Sequence, residues 1–266
     1  MLQAIIFDVD GTLAETEEVH CAAFNQAFAE AGLGWRWNED LYRELLKVTG
    51  GKERIASFIE SAGGLGMRPA GVETLIADLH RRKTAIYAEL LAGGSVKPRP
   101  GVAGLIEGAL IDGIRLAIAT TTSRPNVDAL LIAILDAGSP SAFEVIAAGD
   151  SVAAKKPAPD IFIAALGELG LHPRDCLAIE DSQNGLRAAT AAGLATLVTP
   201  SHYARGDDFT GAARVVDVLP ALVGPPKTRN ANRPFPSSDL VDAVRMLHHR
   251  AVTNAASVPS LAAAVE

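Results

Sequence analysis

Five short apolar runs, each closed by polar or turn-forming residues, punctuate this chain and restrict it to a parallel sheet wrapped by helices. They span 4–7, 114–119, 143–147, 176–179 and 195–199. Helical patterns at 125–135, 159–169 and 183–192 alternate with the later runs, and Gly138, Gly170 and Gly193 stand where those helices should stop. The first interval differs. Between 7 and 114 only helical periodicity is found, at 17–31, 38–47, 52–61 and 69–91. Phe24, Ala27, Phe28 and Ala31 share one stripe there, as do Val72, Leu75, Ile76, Leu79, Ile86 and Leu90. The chain therefore reads as an α/β core, residues 1–15 and 96–223, into which an all-helical unit, residues 16–95, is inserted through hinges near 14–16 and 93–98. A proline-rich segment, 224–236, leads to a last amphipathic helix through 249 and a small-residue tail.

Composition narrows the partners. The formal net charge of −7 disfavours nucleic acid or an anionic membrane. An anionic substrate would thus need positive charge gathered in one place. No apolar stretch approaches membrane-spanning length, and no basic segment precedes the first strand. The two cysteines, Cys21 and Cys176, are far apart and in no metal-type spacing, which fits a reducing compartment such as the cytoplasm. A monomer is expected.

In open α/β sheets, ligands bind beyond the carboxyl ends of the strands. Four such ends here are polar: 8–12 (DVDGT), 120–122 (TTT), 155–157 (KKP) and 180–181 (ED). Each alone has a bland explanation, since Asp before Gly often marks a turn and an acidic pair often precedes a helix. Together they are the parts of phosphoryl transfer. Asp8 and Asp10 are two apart, so an extended strand puts both carboxylates on one face. With Asp181 or Glu180 they form an oxygen-rich nest of the hardness Mg²⁺ prefers. Thr120 offers a hydroxyl and Lys156 a fixed positive charge to the phosphoryl oxygens, with Thr121, Thr122 and Lys155 as close competitors.

This pattern resembles the haloacid dehalogenase superfamily, and the resemblance spans the whole core. It implies a Rossmann-like core with a helical cap, Asp8 as nucleophile and Asp10 as general acid/base. It further implies Thr120 and Lys156 as the second- and third-motif residues and Glu180–Asp181 as the fourth-motif acids. Mg²⁺ would be held by Asp8, the Asp10 backbone carbonyl and Asp181, with Glu180 either a ligand or an orienting group. The segments 156–162 (KPAPDIF) and 180–189 (EDSQNGLRAA) are similar to the sugar-phosphate branch that includes β-phosphoglucomutase. Within the insertion, 15–25 (ETEEVHCAAFN), 42–55 (YRELLKVTGGKERI) and 80–84 (HRRKT) resemble the CbbY-type phosphatases, which hydrolyse xylulose-1,5-bisphosphate, a Rubisco inhibitor. A phosphomutase with the same covalent step, and a binding module that has lost chemistry, remain the alternatives.

The inserted helices also carry candidate substrate contacts. Glu17 and His20 are three apart and point the same way at the start of the first helix. Thr49, Gly50, Gly51 and Lys52 precede a helix, where free amides and a lysine suit an anion. His80 and Lys83 share a face of the fourth helix, while Tyr42 and Arg43 lie on the second, Arg43 having the better geometry for phosphate. The bland readings are core packing for His20, a plain helix start at Gly50 and a solvated face for His80.

Overall fold

The computed structural model describes residues 1–61, 70–94, 96–135, 139–223 and 237–256. Six parallel strands are formed: β1 (Ala4–Phe7), β2 (Arg115–Thr120), β3 (Val145–Ala148), β4 (Cys176–Glu180), β5 (Ala195–Val198) and β6 (Arg214–Val215). Their order is β3-β2-β1-β4-β5-β6, which puts the strand that leads into Asp8 in the middle. The sixth strand was not expected, because two residues carry no periodicity.

Alternation along the strands gives the sheet two unequal faces. Ile5, Phe7, Leu116, Ile118, Leu177 and Ile179 form the bulky face. Ala4, Ala117, Ala119, Cys176 and Ala178, with Ile6, form a shallow one. The shallow face receives α7 (Asp160–Leu169) and α8 (Gln183–Ala191). The bulky face receives α5 (Val102–Ile111), α6 (Arg124–Ile134) and α9 (Ser237–Ala256). Helix α5 was also unexpected: its sequence, VAGLIEGALI, is apolar nearly all round and so lacks the polar stripe that marks an amphipathic helix. Part of the reason is α9, whose Leu240, Val241 and Val244 are buried in the same core. The expected stop at Gly138, the proline-rich segment and the tail lie outside the described residues.

Between β1 and β2 come α1 (Glu17–Glu30), α2 (Glu39–Leu45), α3 (Gly51–Glu60) and α4 (Val72–Ala92). They enclose an aromatic core of their own, with Phe24, Phe28, Trp37, Tyr42 and Phe58 buried together. Helix α2 begins where the Asn38 side chain accepts a hydrogen bond from Leu41 N at 2.9 Å. Ala23, Ala27, Ile86 and Tyr87, on the other side of α1 and α4, join the bulky core beneath the sheet. The two connections of the insertion run side by side: Ala14 bridges Pro98, and Arg99 N donates to Leu13 O at 2.8 Å.

Candidate active site

At the carboxyl ends of β1 and β4 the sequence gathers four charges. Asp8 follows β1, Glu180 ends β4 and Asp181 follows it, while Lys156 enters from the segment before α7. Lys156 Nζ donates to Asp8 Oδ1 and to Glu180 Oε1, both at 2.6 Å, and to Ala119 O at 2.9 Å. That decides between the neighbouring lysines, since Lys155 instead donates to Gly149 O at 2.5 Å. Although burial alone would favour the neutral amine, Asp8 and Glu180 hold the Lys156 ammonium above its ordinary pKa.

One ammonium does not balance three carboxylates. Oxygens of Asp8, Glu180 and Asp181 lie within 4.8 Å of one another, all buried. Burial, opposed by Lys156, raises the Asp8 carboxyl and pushes Glu180 up to about 8. Burial and the charges of Asp8 and Glu180 raise Asp181 well above the usual range. An all-oxygen donor set carrying excess negative charge fits a hard divalent cation such as Mg²⁺. Both Glu180 oxygens are engaged, Oε1 by Lys156 and Oε2 by Asp181 N at 3.3 Å.

Two glycines make this crowding possible. Gly11 has φ of +81°, and a Cβ there would lie 2.3 Å from Asp181 Oδ2. On α8, a Cβ on Gly185 would lie 1.9 Å from Glu180 Oε2. Helix α8 itself starts at Ser182, whose side chain accepts from Gly185 N at 3.2 Å. Behind the loop, buried Arg99 donates to Gly11 O, to Thr199 O at 2.6 Å and to Pro200 O at 2.8 Å. Sequence reasoning missed Gly185 and Arg99. For the latter no local signal exists, because its partners lie up to 118 residues away.

Asp10 faces the insertion. Its Oδ1 accepts from Thr16 Oγ1 at 2.6 Å and from His20 Nε2 at 2.8 Å. Lys83 Nζ donates to His20 Nδ1 at 2.6 Å, which fixes the tautomer, and the imidazole stacks on Tyr87 with centroids 4.0 Å apart. Burial works against an Asp10 anion, but His20 and Thr16 outweigh it and hold the carboxyl well below the usual range. Lys83, packed over Phe24 and Tyr87, is pushed down to about 7 by burial.

A cavity of about 580 Å³ opens over these groups, between sheet and insertion. Asp8, Asp10, Thr120, Thr121, Thr122, Lys156 and Asp181 line it from the core; Glu17, His20, Arg43, Thr49, Gly50, Gly51, Lys52, His80 and Lys83 line it from the insertion. Thr120 is buried, its Oγ1 accepting from Thr122 N at 3.2 Å. Tyr42 departs from expectation: it is buried behind the wall, donating to Glu17 at 2.8 Å and accepting from Arg54 at 3.1 Å. Arg43 lines the cavity but is already engaged, by Glu39 at 2.9 Å and by the Tyr203 ring at 5.1 Å. Arg54, Asn184, Arg187, Tyr203 and Arg205 also line it and were not anticipated.

The haloacid dehalogenase-like hydrolase family model matches residues 2–193. The chain belongs to this family. Protein CbbY of Rhodobacter capsulatus is 57% identical over 211 residues, covering 79% of this chain and 91% of that protein. CbbY of Cupriavidus necator is 48% identical over 250 residues, 93% of this chain and 97% of the relative. Crystal structures of CbbY from Rhodobacter sphaeroides, one with phosphate and one of a mutant with xylulose-(1,5)bisphosphate, share 53% identity. Each has a TM-score of 0.77, over 82% of this chain and 95% of the other. As a haloacid dehalogenase-like hydrolase with these relatives, the protein is a phosphoric monoester hydrolase. Both cysteines are free and buried, and no helix among the described residues is long and apolar enough to cross a membrane.

Proposed function

We propose that this phosphatase acts on a sugar bisphosphate, hydrolysing xylulose-1,5-bisphosphate to xylulose 5-phosphate and so removing a Rubisco inhibitor. The observation that carries the chemistry is the Lys156 bridge between Asp8 and Glu180, which holds the Asp8 carboxyl in the cavity wall beside a cation suited to phosphate. The substrate rests on the relative from Rhodobacter sphaeroides, which binds that bisphosphate.

Asp8 attacks phosphorus in line, and the leaving sugar oxygen takes a proton from Asp10. The aspartyl-phosphate is then hydrolysed by a water that Asp10 deprotonates. Bound to Thr16 and His20, Asp10 is the anion needed for this second step. The first step requires a protonated Asp10, which gives up bonds that favour the anion. Thr120 and Lys156 hold the phosphoryl oxygens. Asp8, the Asp10 carbonyl and Asp181 would hold Mg²⁺, while Glu180 fixes Lys156. The metal would supply positive charge against the transferred phosphoryl group. Residues 16–95 serve as a cap, in which Thr49–Lys52 with Glu17, His20, His80 and Lys83 contact the rest of the substrate and exclude water.

The test incubates the enzyme with Mg²⁺ and xylulose-1,5-bisphosphate and measures free phosphate against isomeric sugar phosphates. Stoichiometric phosphate release is expected. Isomer formation without release would establish a mutase, and neither product would end the proposal.

A further inference from the structure

The buried Arg99 has no part in the phosphoryl-transfer steps above. A guanidinium taken out of water is costly unless its N–H groups find acceptors. Here Nη1 donates to Gly11 O, to Thr199 O at 2.6 Å and to Thr199 Oγ1 at 3.2 Å. Nη2 donates to Pro200 O at 2.8 Å and, at 3.4 Å, to Asp217 O. The carboxylate of Glu15, an exposed residue, lies 3.3 Å from Nε.

These acceptors frame one side chain. Strand β4 lies between β1 and β5, so Asp181, which follows β4, is flanked by the loops after β1 and after β5. Gly11, in the first loop, presses on Asp181 so closely that a Cβ would lie 2.3 Å from Oδ2. The same Cβ would lie 2.9 Å from the Ser201 Cβ of the second loop. Arg99 bonds Gly11 itself and Pro200, the residue before Ser201. One guanidinium thus ties the two walls of Asp181 together. The backbone reinforces the tie, with Arg99 N donating to Leu13 O and Thr199 N to Glu180 O, both at 2.8 Å.

We propose that Arg99 is a positioning residue for the metal, a clasp that fixes the Asp181 carboxylate through the loops on either side of it. Lysine is no substitute, since a single ammonium cannot reproduce a planar fork that reaches acceptors in both loops. Groups that orient a ligand without touching the ion set metal affinity, and losing one weakens binding about ten- to hundredfold. The sign separates this role from a simple field effect. A buried positive charge repels Mg²⁺, so its mere removal would tighten binding. The inference rests on the reading of Asp8, the Asp10 carbonyl and Asp181 as the Mg²⁺ site.

Mg²⁺ binding to the parent protein, Arg99→Lys and Arg99→Met would be measured by titration calorimetry, with thermal melting followed with and without Mg²⁺. Arg99→Lys keeps the charge and so tests geometry alone. Both variants should bind Mg²⁺ about ten- to hundredfold more weakly than the parent. The Mg²⁺ concentration for half-maximal hydrolysis of p-nitrophenyl phosphate should rise by the same factor. For a variant that is unfolded without metal, affinity is read from the Mg²⁺ concentration that restores the melting transition. Lower melting temperatures with the parent's Mg²⁺ affinity, or a fold that no Mg²⁺ concentration restores, would make Arg99 a structural residue and overturn the proposal. Tighter binding by Arg99→Met would do the same. A parent that binds no Mg²⁺ would instead overturn the metal reading, and this inference with it.

Discussion

Single atoms decide the chemistry of this site. Asp8→Asn keeps the shape of the side chain but removes the attacking anion, so phosphate release should fall to background in a protein that still melts cooperatively; substantial turnover would refute covalent catalysis at Asp8. Gly185→Ala addresses the support for that chemistry. With a Cβ placed 1.9 Å from Glu180 Oε2, the carboxylate must move, taking Lys156 with it. A cost of about 1–3 kcal/mol in stability, measured by denaturant unfolding, and a drop in kcat are expected. At this scale Asp8, Asp10, Lys156 and Asp181 were legible because strand ends and a two-residue spacing fix them locally. Gly185 reads as an ordinary helical glycine until the Glu180 side chain at the end of the preceding strand is seen packed against it. Arg43 lines the cavity as expected, but its contact with Tyr203 joins residues 160 apart and so has no local signal.

Elements show the same division. The alternation of strands and helices gave five strands and the four cap helices, since each has its own period. Helix α5 was hidden by burial on nearly every side, and α9 supplies part of that burial from the far end of the chain. Leu240→Ala should accordingly cost about 2–5 kcal/mol, as for other fully buried leucines, while kcat of the folded enzyme is preserved. A loss under 0.5 kcal/mol by denaturant unfolding would mean that α9 is not part of the core. Helix α4 carries a second test. Lys83, with its pKa lowered to about 7 by burial, is protonated in the unfolded chain up to about pH 10. Between those values the unfolded state binds more protons, so stability from this group rises with pH. The melting temperature of the parent relative to Lys83→Met should climb from pH 7 to pH 10; a flat difference would show that Lys83 keeps an ordinary pKa.

For the whole molecule, the acid cluster couples metal to stability. Asp8, Glu180 and Asp181 have raised pKa values in the fold, so the folded state holds more protons than the unfolded one above about pH 4. Stability of the metal-free protein should fall as pH rises from about 4.5 to about 8, the sign opposite to that for Lys83. Mg²⁺ should remove this slope and release protons on binding, and at a hundred times its dissociation constant should add about 2.7 kcal/mol. Calorimetry in two buffers of different ionisation enthalpy measures the protons; none released would disprove metal binding at these carboxylates. No motif could have announced this linkage, because it depends on how deeply the carboxylates sit.

The side-by-side joints of the insertion bear on how such enzymes diversify. With Ala14 bridged to Pro98, any compact unit whose two termini are neighbours satisfies the same connection. The register of β1 with its neighbours and the Lys156 bridge between Asp8 and Glu180 are made within the core, whereas Asp10 takes its partners Thr16 and His20 from the insertion. A new substrate range can thus be acquired by exchanging one contiguous block of sequence, with only the facing rim of the sheet left to be retuned.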